Sequence, residues 1–198
     1  MHIQNVHIHL GGPALAAAAL SALMSFDANA APQTKNAATA RAEEAPRIGE
    51  YWKGQGGIYV GVGRGYDGMP DHRLILPTDP KAIFEKRALG TYGVDVKGAC
   101  SDHNGMANTI ALAEAGSDIC KEILALEIEG HKDFYLMSRT DARLCMANVA
   151  DQFEKEWYLT STQYSSGGAW GQGFDDGSQD YFYERYEALV RPVRRLIL

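Results

Sequence analysis

Residues 157–170 read Trp157-Tyr-Leu-Thr-Ser-Thr-Gln-Tyr-Ser-Ser-Gly-Gly-Ala-Trp170, and residues 171–180 continue Gly-Gln-Gly-Phe-Asp-Asp-Gly-Ser-Gln-Asp. Apolar anchors alternate here with patches of Tyr, Ser, Gly, Gln and Asp. Tyr supplies rigid amphipathic contact area, and Ser and Gly supply adaptable hydrogen bonding, which is the composition of binding loops. The stretch therefore predicts a recognition surface carried on short strands, and not a catalytic pocket.

The two residue classes in this region are expected to face in opposite directions. Trp157, Trp170, Phe174 and Val193 should be buried on alternating strands, and Arg191 or Arg194 should pair with acids such as Asp175 and Asp176. Buried tyrosines would give the same composition, so that alternative stays open. The residues expected on the receptor-binding face are Tyr164, Ser166, Gln172, Asp176, Tyr181, Tyr183 and Tyr186.

Length and charge limit the class of protein. The 198 residues suit one domain with an appendage, and 45% hydrophobic content is enough for a core. The net charge of -6 is evidence against a nucleic-acid binder. No run of 18 apolar residues occurs, so no transmembrane helix is expected.

Cysteine usage and the N-terminus bear on the compartment. Cys100, Cys120 and Cys145 lack zinc-site spacing and are interpreted as reduced thiols of a protein assembled in a cytoplasm, with one long-range disulfide as the alternative. Residues 12–26 imitate the apolar core of a signal peptide. The ten residues before them contain no Lys or Arg, which favours a retained segment over a cleaved signal.

Residues 1–26 are predicted to form a strand followed by an Ala-rich helix, and residues 27–48 a linker. So short a helix is unstable alone in water and must pack against something. We expect residues 1–26 to form a homo-oligomer, with a trimer favoured, and to anchor the chain to other proteins of an assembly. The apolar residues of this anchor are Val6, Ile8, Leu10, Leu15, Leu20 and Leu23.

Residues 49–198 are predicted to form one α+β domain with small antiparallel sheets and two helices. Strands are expected at 57–63 and 73–76, on either side of a Gly-rich turn, and a further short strand at 134–136. Helical spacing predicts helices over 108–129 and 140–148, the second capped by Ser138 or Thr140. Further short strands are expected from Trp157 onward.

Four motifs were weighed for chemistry. Gly63, Gly65 and Gly68 match a dinucleotide-binding fingerprint, but a strand follows instead of a helix, so a hairpin turn is expected. His7 and His9 lie on one strand face, where three copies could bind a metal or where the face is merely polar. The third motif is residues 102–104, where an acid, an imidazole and an amide adjoin, and it is expected to lie in a loop ahead of a helix. The fourth is residues 175–180, which form either a turn that binds calcium or a solvated hairpin. We therefore expect no catalytic, metal or cofactor site, and no enzyme.

Blocks in a fixed order give residues 50–198 a family resemblance. They resemble the C-type-lectin-like domain found at the C-terminus of a bacterial collagen-like adhesin and on phage and prophage structural proteins. Met137 stands where Pro is usual in that family. The blocks are 56–59 Gly-Gly-Ile-Tyr, 76–79 Leu-Pro-Thr-Asp, 105–109 Gly-Met-Ala-Asn-Thr, 130–139, 157–164, 169–179 and 190–194 Val-Arg-Pro-Val-Arg.

This resemblance implies a C-type-lectin-like fold in which the N- and C-terminal strands pair and a variable ligand-facing surface lies late in the chain. Neither the Glu-Pro-Asn nor the Gln-Pro-Asp motif is present, so calcium-dependent sugar binding is not implied. The paired cysteines of the formylglycine-generating enzymes are also missing, so that activity is not implied.

The resemblance further implies a phage virion surface protein, on a tail fibre, tail tip or head fibre, that displays a receptor-binding domain. Its partners would be a host cell-surface receptor and, through residues 1–26, other virion proteins. It would be assembled in the host cytoplasm and end on the virion surface. The alternative is a capsid-decoration protein without receptor binding.

Overall fold

A computed structural model of the protein describes residues 45–198. The predicted anchor at 1–26, most of the linker at 27–48 and the His7/His9 pair lie outside the described residues. None of the helices within 45–198 is both long and apolar enough to cross a membrane.

The described residues contain three helices and two sheets of five strands each. The elements are β1 Tyr51–Trp52, β2 Gly57–Gly63, β3 His72–Pro77, β4 Phe84–Arg87, α1 Gly105–Glu114, α2 Asp118–Leu124, β5 Phe134–Leu136, α3 Arg139–Val149, β6 Trp157–Ser165, β7 Gly168–Gly173, β8 Gln179–Tyr183, β9 Ala188–Val190 and β10 Pro192–Ile197. The strand orders are β1-β2-β3-β10-β5 and β4-β9-β6-β7-β8. The α+β prediction is confirmed at this level, and the count of two helices is wrong.

The single helix predicted over 108–129 is two helices. Gly116 adopts a left-handed φ of 113°, which ends α1, and the hydroxyl of Ser117 accepts a hydrogen bond from the amide of Cys120 to begin α2. Leu112 and Ile119 are both buried in the same core cluster. Helical spacing thus continues across the break because both helices pack on one core.

Helix α3 agrees with its prediction, and Ser138 is its N-cap. The Ser138 hydroxyl accepts from the amide of Asp141, and the Asp141 carboxylate accepts from the amide of Ser138, which makes a reciprocal capping box. Each interaction satisfies an amide that the first turn of a helix leaves unpaired.

The C-terminal strand β10 joins the first sheet between β3 and β5. The expected pairing of the N- and C-terminal strands is wrong in one respect, because the two-residue strand β1 pairs with β2 and leaves β3 as the neighbour of β10. Arg194 pairs with Asp133 at 2.6 Å, and not with Asp175 or Asp176, which lie in the turn of the other sheet.

Arg191 has a different environment. Its guanidinium is buried and donates to the carbonyl oxygens of Pro77 and Gln152. Burial lowers the pKa of Arg191. The side chain thus ties the last strands to the end of β3 through hydrogen bonds to backbone carbonyls.

The glycine motif at 63–68 joins two strands. Gly63 ends β2, and β3 begins at His72 with no helix between them, so the hairpin prediction is confirmed. A Cβ atom at Gly65 would collide with the carbonyl oxygen of Met69. The glycine is therefore required by a close backbone approach within the turn.

The three cysteines are unpaired, and Cys120 and Cys145 are buried. Burial raises the pKa of the Cys120 thiol to about 12, and it also raises the pKa of Cys145. Because the thiolate is the reactive form of cysteine, these two side chains act as small apolar core residues.

His72 on β3 is a buried imidazole facing Asp141, with its Nε2 atom 4.0 Å from Oδ1 of the carboxylate. Its ring nitrogens have no side-chain hydrogen-bond partner among the described residues. Burial lowers the pKa of His72, Arg195 lowers it further, and Asp141 partly opposes this shift. The neutral imidazole is therefore the form that the fold accommodates.

Acid should destabilise the domain through His72. Because the folded-state pKa lies below the ordinary 6.5, the unfolded chain binds a proton first as the pH falls. Stability is unaffected well above pH 6.5, is lost as the pH drops through that value, and levels off below the folded-state pKa. Thermal midpoints between pH 7.5 and 5 should fall less for His72→Gln than for wild type. Equal slopes for the two proteins would contradict this assignment.

Candidate recognition surface

Strands β6, β7 and β8 form the antiparallel part of the second sheet that carries the predicted binding residues. Trp170 pairs with Tyr181 and Gln172 pairs with Gln179 across β7 and β8. Alternate residues of a strand point to the same face. Trp170, Tyr181 and Tyr183 therefore share the outer face of this sheet.

Three rings from three strands contact each other on that face. Tyr164 stacks on Tyr181 with ring centroids 4.3 Å apart, and Trp170 meets the ring of Tyr164 edge-on at 5.5 Å. Tyr164 and Tyr181 remain 53% and 51% exposed. Offset-stacked and edge-to-face pairs hold aromatic side chains in defined orientations, so the exposed rings are held in place before any ligand arrives.

Trp170 is not the core residue predicted from the sequence. It is half-buried on the outer face, where the guanidinium carbon of Arg139 lies 3.5 Å from its ring centroid. The inner face at this point is filled by Phe182, whose ring occupies the space that a side chain at position 171 would need. Period-two alternation then leaves Trp170 outside.

The other predicted core residues divide in the same way. Phe174 and Val193 are buried, as predicted, and Phe174 stacks on Phe153 at 3.9 Å. Trp157 is only half-buried and lies at the margin of the core near Phe182. Its position at the first residue of β6 explains the remaining exposure.

Gln172 is not a contact residue, because its side chain is only 1% exposed. Its amide nitrogen donates to the carbonyl oxygens of Gly173 and Ser178, and its amide oxygen accepts from Gln179. Gln179 also accepts from Nε of Arg139 at 3.0 Å. The buried amides therefore hold the β7–β8 hairpin and fix the arginine that covers Trp170.

A second group of rings extends the surface beyond Tyr181. Tyr183 meets Tyr186 at 5.7 Å and Tyr92 at 6.2 Å, in both cases edge-on. The guanidinium carbon of Arg185 lies 5.0 Å from the ring centroids of Tyr92 and Tyr183 and 5.5 Å from that of Tyr186. We name the combined surface the aromatic strip, and its residues are Tyr92, Tyr164, Trp170, Tyr181, Tyr183 and Tyr186.

Two predicted residues lie beside the strip. Ser166 is exposed in the β6–β7 turn, and its carbonyl oxygen accepts from the amide of Gly93. Asp176 is exposed in the β7–β8 turn, where hydrogen bonds from Ser178 lower its pKa. Within residues 45–198, no group of three or more His, Cys, Asp or Glu side chains could hold a metal ion.

A buried polar network supports Tyr92 from below. Glu184 is fully buried, accepting from the Thr91 hydroxyl at 2.6 Å and from the Gln163 amide at 2.8 Å. The Gln163 amide also bonds both the amide of Val96 and the carbonyl oxygen of Val94. Burial raises the pKa of Glu184, while these hydrogen bonds lower it. The network fastens the loop at 88–104 to strand β6.

Sequence reasoning missed Tyr92, Arg139 and Arg185. Tyr92 lies 72 to 94 residues from the other rings of the strip, so no local periodicity connects them. Its flanking Gly90 and Gly93, both with left-handed φ, are the signal that marks an exposed turn. Arg139 belongs to a family block and stands just before a predicted helix, and neither pattern indicates that it covers a tryptophan.

Comparisons with known proteins assign no family to this chain. No protein-family model and no curated protein matches it.

The different environments of Trp170 and Phe174 predict different costs of truncation. Phe174→Ala should destabilise the domain by about 3–5 kcal/mol, as for a buried aromatic. Trp170→Ala should lower the free energy of unfolding by only about 1–2 kcal/mol, because the ring is half-buried and one of its faces is covered only by the guanidinium of Arg139. Urea unfolding of both variants measures the difference, and equal losses would show that Trp170 behaves as a core residue.

Proposed function

We propose that this protein is a phage virion surface protein whose domain at 49–198 binds a receptor on the host cell through the aromatic strip. One observation carries the proposal: five half-exposed tyrosines lie together, held by strands and by a buried hydrogen-bond network. Tyr and Trp dominate binding energy in protein interfaces because they bury large areas with few rotatable bonds.

The proposal includes a C-type-lectin-like fold for residues 49–198. The ordered blocks that resemble this family support it, since they coincide with element boundaries. Block 56–59 enters β2, block 105–109 begins α1 and block 190–194 leads into β10. Five of the six rings of the strip, all except Tyr92, also lie late in the chain, where the family carries its ligand-facing surface.

The clustering of exposed aromatic side chains in the strip favours a binding role over an ordinary solvent-facing surface. An exposed aromatic costs solubility, and an ordinary surface presents such side chains singly. Here Tyr181 and Tyr183 occupy successive outward positions of one strand, and each contacts a further ring. A surface of this type is expected to be covered when the protein performs its function, either by a receptor or by a neighbouring virion protein.

Loss of two central rings tests which partner covers the strip. Particles carrying Tyr181→Ala with Tyr183→Ala should assemble but fail to adsorb to host cells, and the thermal midpoint of the protein should change little because both rings are half-exposed. Tyr51→Ala with Tyr66→Ala is the matched control, since both tyrosines are similarly exposed but lie outside the strip. That control should adsorb normally.

Two results would contradict receptor binding. Normal adsorption of particles with the Tyr181/Tyr183 variant would favour the alternative of capsid decoration. Failure of those particles to assemble would mean that the strip is a contact between virion proteins.

The proposal assigns residues 1–26 to assembly, because the predicted helix is too short to be stable alone. Light scattering of the full chain should give a homo-oligomer, with a trimer expected, and residues 43–198 alone should give a folded monomer. A full chain that is monomeric, or a shortened chain that remains trimeric, would refute this assignment.

A further inference from the structure

A cleft lies along β8, on the side of the sheet opposite Trp170. Its volume is about 270 Å³. The rings of Trp157 and Phe182 and the side chain of Ala188 supply its apolar lining, and Asp180, Tyr181, Tyr186 and Glu187 complete it, so two tyrosines of the aromatic strip also border the cleft. We name this feature the acidic cleft.

Strand alternation explains why the cleft differs from the aromatic strip. Asp180 and Phe182 point to the face opposite Tyr181 and Tyr183. The Phe182 ring meets Trp157 edge-on at 6.3 Å and packs against the core, which leaves a hollow between β8 and the start of β9. One short strand therefore borders two surfaces of different chemistry.

The backbone edge of β8 is not the feature that a ligand would use. The outward amide of Tyr181 already donates to Oδ1 of Asp180 at 2.8 Å, and the carbonyl oxygen of Tyr183 accepts from the amide of Tyr186 at 2.8 Å. An added strand would have to displace both bonds. An occupant is therefore expected to enter the cleft with a side chain.

The charge around the cleft selects the chemistry of that side chain. Five ion pairs between charged side chains form within residues 45–198, and none of them includes Asp180 or Glu187. Glu187 also borders a neighbouring hollow lined by Glu85, Glu154 and Lys86. The four carboxylates of Asp180, Glu187, Glu85 and Glu154 thus outnumber the two nearby cations, the Lys86 ammonium and the Arg185 guanidinium beside Tyr186, which makes the region attractive to cations.

We infer that the acidic cleft binds a lysine or arginine side chain of a partner protein. The methylene stem would pack on Trp157 and Phe182, and the cationic head would lie between the Asp180 and Glu187 carboxylates. The cleft is smaller than the roughly 300–1,000 Å³ of most small-molecule sites, so it suits one long side chain better than a whole ligand. This inference does not require the aromatic strip to bind a receptor.

The test is a titration of the full chain, labelled with ¹⁵N, with Nα-acetyl-lysine N-methylamide. The backbone amides of Asp180, Phe182, Glu187 and Ala188 should shift in a saturable way, and added salt should weaken the binding. The norleucine analogue, which has an apolar side chain without the ammonium group, is the control probe and should produce much smaller shifts.

Charge removal identifies the site. Asp180→Asn with Glu187→Gln should raise the dissociation constant of the lysine probe about tenfold or more, because both carboxylates lose their charge while their size is kept. Asp67→Asn with Glu114→Gln removes two exposed carboxylates that do not line the cleft and should leave the constant unchanged. Unshifted cleft amides, equal shifts with norleucine, or equal affinity in the Asp180/Glu187 variant would each overturn the inference.

Two further experiments distinguish a partner-protein site in the cleft from a small-molecule site and from the aromatic strip. Choline that binds the cleft more tightly than the lysine probe would assign it to a free small-molecule cation and overturn the partner-protein assignment. Particles carrying the Asp180/Glu187 variant that adsorb normally, while the Tyr181/Tyr183 variant does not, would show that the receptor uses the strip alone. Probe binding by the wild-type chain is measured independently of adsorption, so failure of one proposal does not mask the other.

Discussion

The insertion of β10 between β3 and β5 is the constraint on which the rest of the fold depends. Its ladder joins the first hairpin to β5, the strand that lies between α2 and α3 in the chain, so residues more than 100 positions apart must meet before the sheet is complete. Arg194 fixes β10 to Asp133, and Arg195 donates to the hydroxyl of Tyr135 at 2.7 Å. The same C-terminal segment also contributes to the second sheet, because β9, which belongs to that sheet, immediately precedes β10 in the chain. Both sheets therefore depend on correct placement of the last strand.

Local sequence patterns located the helices and strands more accurately than they located the ends of those helices and strands. The spacing of apolar residues located α1 and α2 but not the break between them, because Gly116 interrupts the backbone without interrupting the buried face. Alternation also located the outward tyrosines of β8. It failed at Trp170 and Gln172, which share one face of β7: Phe182 fills the opposite face, and helix α3 packs on β7 so that Gln172 is buried and Trp170 half-buried. Which part of a sheet face is covered depends on contacts with distant parts of the chain, whereas hydrophobicity alone assigns a tryptophan to the core and a glutamine to the surface.

The residues of the aromatic strip likewise divide into those that local sequence patterns predict and those that depend on long-range packing. Tyr164, Tyr181 and Tyr183 could be found from composition, because tyrosine between small polar residues marks a contact surface. Tyr92 and the arginines that lie on the rings could not, since they come from other parts of the chain. The buried carboxylate of Glu184 is equally invisible in the sequence, although it holds the loop that presents Tyr92. Recognition residues are thus partly local, whereas the network that orients them is not.

The self-satisfied outer edge of β8 has a consequence for crowding. An unprotected edge strand is a template on which identical chains can join into continuous sheets, and the risk rises steeply when many copies are held close together. Here the Asp180 carboxylate and the amide of Tyr186 occupy two of the groups that a neighbouring chain would use, the amide of Tyr181 and the carbonyl oxygen of Tyr183. Copies packed side by side would therefore have to break these two bonds before their β8 backbones could join, which disfavours fusion where tyrosines are presented at high density.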